Sequence, residues 1–137
     1  MQYWILKSEP DVYSFQDLVK AGKAVWDGVR NYQARNNLRA MKVGDIAFIY
    51  HSNIGKEIVG ISKVVKSAYQ DPKTKEDWSA VDLAPVKALK NPVTLEVLKK
   101  DSLLKEIKLV RMSRLSVSPI SAKDYDRILK LSEKPPS

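Results

Sequence analysis

Apolar positions along the chain alternate between a two-residue and a 3.6-residue rhythm, and each change of rhythm marks an element. Tyr3 to Lys7 is aromatic and aliphatic and is broken by Ser8-Glu9-Pro10-Asp11, which predicts a strand feeding a polar loop. Ser14 follows as a helix N-cap, with Asp17 completing a capping box, and Phe15, Leu18 and Val19 form one apolar stripe before Gly22 ends the helix. Ala34, Leu38 and Met41 recur at helical spacing, so a second helix is expected from Tyr32 to Met41 with Asn31 as its N-cap. Arg35, Arg39 and Lys42 give it a basic stripe beside the apolar one.

After the turn Val43-Gly44-Asp45 the texture becomes β. Ile46 to Tyr50 reads as a strand buried on both faces, and Ile58 to Val65 as another whose Gly60 predicts a bulge or a close backbone approach. Residues 69–77 are polar and contain a proline, as in an exposed connection. Trp78 to Val86 resumes strand character, with Pro85 suited to an edge or strand end. Thr94 to Lys100 and Leu103 to Ile107 read as short helical turns, and Arg111 to Val117 as extended chain. Ser121 caps a last helix with Asp124 at the third position and Tyr125, Ile128 and Leu129 on its apolar face. Strands that follow one another without regular crossover helices predict an α+β domain, a curled sheet or small barrel, over residues 1–131, with 132–137 as a flexible tail.

Composition narrows the partner. With 137 residues and 44% hydrophobic content the chain suits one core, and 24 Lys and Arg against 16 acidic residues leave a formal charge of +8. Such a charge favours a polyanion. There is no cysteine, which removes disulfide scaffolds, thiolate metal sites and cysteine nucleophiles, and fits an intracellular, cytoplasmic home. The start, Met1 to Lys7, looks like a first strand rather than a signal peptide, and no apolar run is long enough to span a bilayer. A monomer is expected.

Catalytic chemistry finds little support. One histidine, His51, rules out multi-histidine metal sites, and no Gly-x-Ser-x-Gly elbow presents a nucleophile. The five glycines form neither a phosphate loop nor a dinucleotide fingerprint, and no cofactor is expected. Four clusters remain unexplained by scaffold needs: Lys7-Ser8-Glu9-Pro10, Trp26 to Asn31, Tyr50 to Asn53, and Arg111 to Ser116. Aromatic rings stack on a base, Ser, Asn and Glu read its edge, and Arg or Lys hold the flanking phosphates. Taken singly, each cluster also reads as core, turn or solvated surface.

Those residues carry a family likeness. Trp4 to Pro10, Trp26 to Asn36, Tyr50-His51-Ser52 and Arg114 to Pro119 resemble the signature segments of the EVE domain family, with the likeness running from residue 1 to about residue 131. The resemblance implies a PUA-like fold, a mixed-sheet pseudo-barrel shared with YTH and ASCH domains. It also implies binding without catalysis, of a modified base flipped out of nucleic acid, with 5-methylcytosine or 5-hydroxymethylcytosine in DNA as leading candidates. Carried over by position, Ser8, Glu9 and Asn31 would meet the base edge, Trp26 and Val29 one wall, Tyr50, His51 and Ser52 another, and Leu115 and Ser116 the remainder. Lys7, Arg30, Arg35, Arg39 and Arg114 would meet phosphates. Trp4 and Trp26 remain open to a core reading. Two other functions stand beside this one: a general RNA-binding module without preference for a modification, and a nucleoside-acting enzyme using His51, Ser52 and Glu9.

Overall fold

The computed structural model describes residues 1–134. Along the chain run β1 (Tyr3–Ser8), α1 (Phe15–Ala21), β2 (Ala24–Trp26), α2 (Tyr32–Ala40), β3 (Ile46–His51), β4 (Glu57–Gln70), β5 (Ser79–Thr94), α3 (Leu95–Lys100), α4 (Lys108–Arg111), β6 (Val117–Ile120) and α5 (Ala122–Ser132). The strands make one sheet in the order β2-β5-β4-β3-β1-β6. β1 and β3 run parallel, and the other pairings are antiparallel. A parallel pair needs a long crossover, and α1, β2 and α2 supply it.

Helix ends follow the cap chemistry in the sequence. Ser14 accepts from Asp17 N and its own N–H donates to the Asp17 carboxylate, while Gly22 at φ 76° closes α1 in the left-handed region. Asn31, Thr94 and Ser121 accept in the same way from Ala34, Val97 and Asp124.

β4 and β5 are much longer than their apolar runs suggest. They form one ribbon whose register shifts between Ile58 and Gly60, Ile61 and Ser62, Val64 and Lys66, and Lys66 and Tyr69. Each irregularity bends the strand and adds twist, so the ribbon curls and the sheet becomes a PUA-like pseudo-barrel. Outward positions of such a ribbon can be polar, which is why periodicity stopped at Val65 and Val86. Pro85 sits opposite Ser62 at one of these shifts, where a missing N–H is tolerated.

Strand alternation divides the apolar residues between two cores. Trp4, Leu6, Ala47 and Ile49 face α1 and α2, packing with Phe15, Leu18, Leu38, Val29 and Leu115. Ile5, Phe48 and Tyr50 face the other way, against Leu98, Leu109 and Ile128 of α3, α4 and α5. Tyr125 stacks between Tyr3 at 4.3 Å and Phe48 at 5.0 Å, as its place on the apolar face of α5 predicts. Trp4 belongs to the first core: 3% exposed, it donates its indole N–H to buried Asp45 at 3.1 Å.

Leu103 to Ile107 forms turns, with the Asp101 carbonyl accepting from Leu104 N and Lys105 N, and the short helix α4 follows directly. Two expectations are corrected. Extended chain begins at Val117 rather than Arg111, since β6 reaches its partner β1 only from Val117 opposite Leu6. The segment 69–77 is not uniformly exposed, because Asp71 is fully buried. At the C-terminus α5 includes Ser132, buried and bonded through its carbonyl to Asn91; Pro135 to Ser137 of the expected tail lie outside the described residues. No helix among the described residues is long and apolar enough to cross a membrane.

Gly60 satisfies both readings of its position. Register shifts flank it on β3 and β5, and a Cβ there would lie 2.4 Å from Phe15 Cζ. Gly60→Ala is expected to destabilise the fold by about 1–3 kcal/mol through overpacking. Urea denaturation checks it, and Gly60→Ala combined with Phe15→Leu should recover part of the loss if the ring is the obstacle.

Candidate nucleic-acid interface

The Trp26 segment leaves the sheet where β2 ends. Val25 and Trp26 pair with Asp82 and Val81 of β5, then Gly28 at φ 76° takes a conformation that side chains disfavour and turns the chain toward α2. Val29 drops into the first core and Asn31 caps α2, its Oδ1 accepting from Ala34 N at 2.9 Å. The Nδ2 donors of Asn31 make no bond among the described residues.

This turn is tied to the segment after β4 by one carboxylate. Buried Asp71 accepts from Gly28 N at 2.9 Å, Arg30 Nη1 at 2.9 Å and Lys73 N at 2.7 Å. Burial opposes its ionisation, but the Arg30 bond, the two backbone bonds and the Arg30 charge outweigh burial and hold the carboxyl below its usual range. A second link joins the same segments, Lys73 Nζ to Asp27 Oδ1 at 3.1 Å.

Across from this turn lies the end of β1. Ser8 donates its hydroxyl to Tyr13 O, while Val12 and Tyr13 N–H groups donate to Glu9 O, folding residues 9–13 into a tight loop. Tyr13 then meets Trp26 edge-on, at 6.2 Å and 78°. From the third side, Lys7 N donates to Ser116 O at 2.9 Å and Lys7 Nζ reaches Ser113 O, bringing the loop before β6 alongside; burial lowers the Lys7 pKa.

Between these three segments opens a cavity of about 930 Å³. Of the residues singled out in the sequence, Ser8, Glu9, Trp26, Val29, Asn31 and Ser116 line it, together with the cations Lys7 and Arg30. Trp26 is partly buried, so it serves core and wall at once. Val12, Tyr13, Ala24, Val25, Asp27, Gly28 and Lys73 also line it. Asp27 and Gly28 lie in the segment singled out from Trp26, Ala24 and Val25 directly precede it, and Tyr13 could have been suspected as an aromatic in the loop that Glu9 opens. Lys73 carries no local signal, because its place depends on pairing across 46 positions of sequence with Asp27.

Seven of the expected residues stand off the wall. Tyr50, 4% exposed, lies on the face of β3 that looks into the second core, and burial raises its pKa. His51 lies on the first-core side, where its Nε2 accepts from Phe15 N at 3.0 Å and so helps start α1. Ser52 bonds by its N–H to Ser8 O behind the wall, and Leu115 is packed beneath Ser116 in the first core. Arg35 and Arg39 converge on Asp77, at 3.3 Å for Arg35, so two cations share one anion instead of standing free. Arg114 is exposed two residues before Ser116 and makes no ion pair among the described residues.

Asp71→Ala is expected to lower stability by about 2–3 kcal/mol, because the Gly28 and Lys73 N–H groups lose their acceptor, and to be measurable by urea denaturation. His51 gives a pH signature. Burial pushes its pKa below the ordinary 6.5, against a smaller opposing pull from Glu57, and its bond to Phe15 N requires a neutral ring. The unfolded chain then binds the proton first, so this contribution is whole above 6.5 and is lost as the pH falls from there toward the folded value. The urea midpoint should drop between about pH 7.5 and about pH 5.5, above the carboxylate range, and the drop should shrink in His51→Gln.

Comparison with known proteins places this geometry. The EVE domain model matches residues 2–131. Thymocyte nuclear protein 1 of Mus musculus is 42% identical over 98% of this chain and 75% of its own length. The NMR structure of a Rhodopseudomonas palustris protein matches with a TM-score of 0.93 and 42% identity, over 97% of this chain and 94% of that one. Human THYN1 protein, solved in complex with 5-methylcytosine-containing DNA, matches with a TM-score of 0.90 and 40% identity, over 99% of this chain and 100% of that one. With nearly its whole length matched by the model and by relatives at this identity, the chain belongs to the EVE domain family.

Proposed function

We propose that the protein reads a modified base, with modified cytosine in DNA as the leading ligand, by accepting it flipped out of the strand into the cavity beside Trp26. The observation that carries this is the convergence of a stacking ring, edge-reading groups and two cations on one cavity, in a chain akin to human THYN1 solved with 5-methylcytosine DNA. About 930 Å³ lies within the ~300–1,000 Å³ usual for ligand sites. Trp26, steadied edge-on by Tyr13, supplies the face on which a base stacks. The Glu9 carboxylate suits the exocyclic amine of cytosine, and the unused Asn31 amide donors suit its carbonyl and ring nitrogen. Val12, Val25 and Val29 offer apolar contact for a methyl group. Lys7 and Arg30, both on the cavity wall, are suited in charge to the phosphates on either side of a flipped nucleotide. A reader of this kind works where genomic nucleic acid is held, inside the cell.

Binding is the function here. The acid–base set considered in the sequence is dispersed: His51 is engaged by Phe15 N and lies with Ser52 off the cavity wall, leaving Glu9 alone.

Oligonucleotides with and without 5-methylcytosine test the reading at fixed salt. Wild-type protein should prefer the modified strand, and Trp26→Ala should lose about 1–3 kcal/mol of that binding together with the preference. Equal affinity across a panel of modified and unmodified DNA and RNA would replace this reading with a general nucleic-acid module. Arg114→Ala should weaken both strands alike and reduce the salt slope by about one. Arg35→Ala should reduce it less, because Asp77 already offsets that charge.

A further inference from the structure

Beside the cavity, α2 presents an aromatic ring to solvent. Tyr32 directly follows the wall residue Asn31 and is 68% exposed, yet its ring is not loose. It stacks on Trp78 with centroids 5.1 Å apart and planes 21° from parallel. The Arg35 guanidinium lies 5.1 Å from the Tyr32 centroid and 5.7 Å from that of Trp78. The last distance is too short for Arg35 and Trp78 to lie on opposite faces of Tyr32. Both therefore occupy the same side, and neither covers the other face of the tyrosine.

The stack is braced from behind. Arg30, itself on the cavity wall, lies 5.5 Å over Trp78 and is held by buried Asp71. Asp71 N also donates to Trp78 O at 2.9 Å, and Trp78 N donates to Glu76 O at 2.7 Å. Arg35 is oriented by Asp77 and by the Asn36 side chain. A fixed aromatic plane backed by cations loses little freedom when a flat partner lands on it. The net charge of +8 favours a partner with a negative backbone over an apolar protein segment.

We propose that the open face of Tyr32 is a second stacking site, taking the base that neighbours the flipped one on the same strand. This rests on the flipped-base reading of the cavity, because adjacency to Asn31 and Arg30 is what places Tyr32 next to that nucleotide. The cavity as a whole selects the modification; Tyr32 grips the neighbouring base whatever its identity, since every base has a π face.

Short DNA strands carrying 5-methylcytosine, with the nucleotide on its 5′ or 3′ side intact or abasic, test this at one salt concentration. At one of the two abasic positions wild-type protein should lose about tenfold in affinity. Tyr32→Ala, at an exposed position that leaves the fold intact, should lose a similar factor on the intact strand and nothing further on the abasic one. Tyr32→Phe should behave as wild type. Wild-type indifference to both abasic positions, Tyr32→Ala binding the intact strand as wild type does, or Tyr32→Phe matching Tyr32→Ala would each overturn the proposal. Failure of the modified-base reading is seen separately, as equal wild-type affinity for cytosine and 5-methylcytosine strands. The Tyr32 comparison is then read on unmodified DNA with the same expected and overturning results.

Discussion

The carboxylate of Asp71 lies out of solvent between two segments that the sheet alone does not join at this point, the turn after β2 and the turn after β4. Its bonds meet two backbone donors and one guanidinium, so both oxygens are engaged and the buried charge is compensated. From it follow the path of Gly28 out of the sheet, the position of Arg30 on the cavity wall, and the anchoring of Trp78 behind Tyr32. A single anion in a basic protein thus arranges the cations around it.

The remaining walls depend on strand geometry. On β1, Trp4, Leu6 and Ser8 share a face, so the residues that fill the first core lead directly to a polar group at its open end. The β1–β6 register ends at Leu6 opposite Val117, and the bond from Lys7 N to Ser116 O holds Ser116 at the cavity while Leu115 stays packed below. The curl of the β4–β5 ribbon then brings Lys73 opposite Asp27.

Much of this is legible along the chain, and the division is physical. Caps at Ser14, Asn31 and Ser121 involve residues three apart and can be read locally. Gly60 announced a close approach, though not that Phe15 makes it. The wall residues Ser8, Trp26, Val29, Asn31 and Ser116 are found at strand ends and loop starts, where polar and aromatic side chains stand out against a two-residue rhythm. Tyr50 misled because it sits at the same sort of place on β3, but one residue of alternation turns it to the other core. Arg35 and Arg39 looked like a phosphate-facing stripe because their shared partner, Asp77, lies about forty positions away. Asp71 and Lys73 escaped notice for the same reason: a polar connection reads as solvated until the ribbon around it is folded.

The close fit between Phe15 and Gly60 reaches the cavity as well. The ring of Phe15 rests on the Gly60 backbone while its amide N–H is held by His51, so both ends of residues 9–14 are fixed, one by β1 and one by the start of α1. There Ser8 and Glu9 fold the chain onto itself, with Val12 exposed at the crest. The ordering entropy of this loop is therefore spent when the chain folds and not when a ligand arrives, so a ligand meets the lip around Val12 already in place.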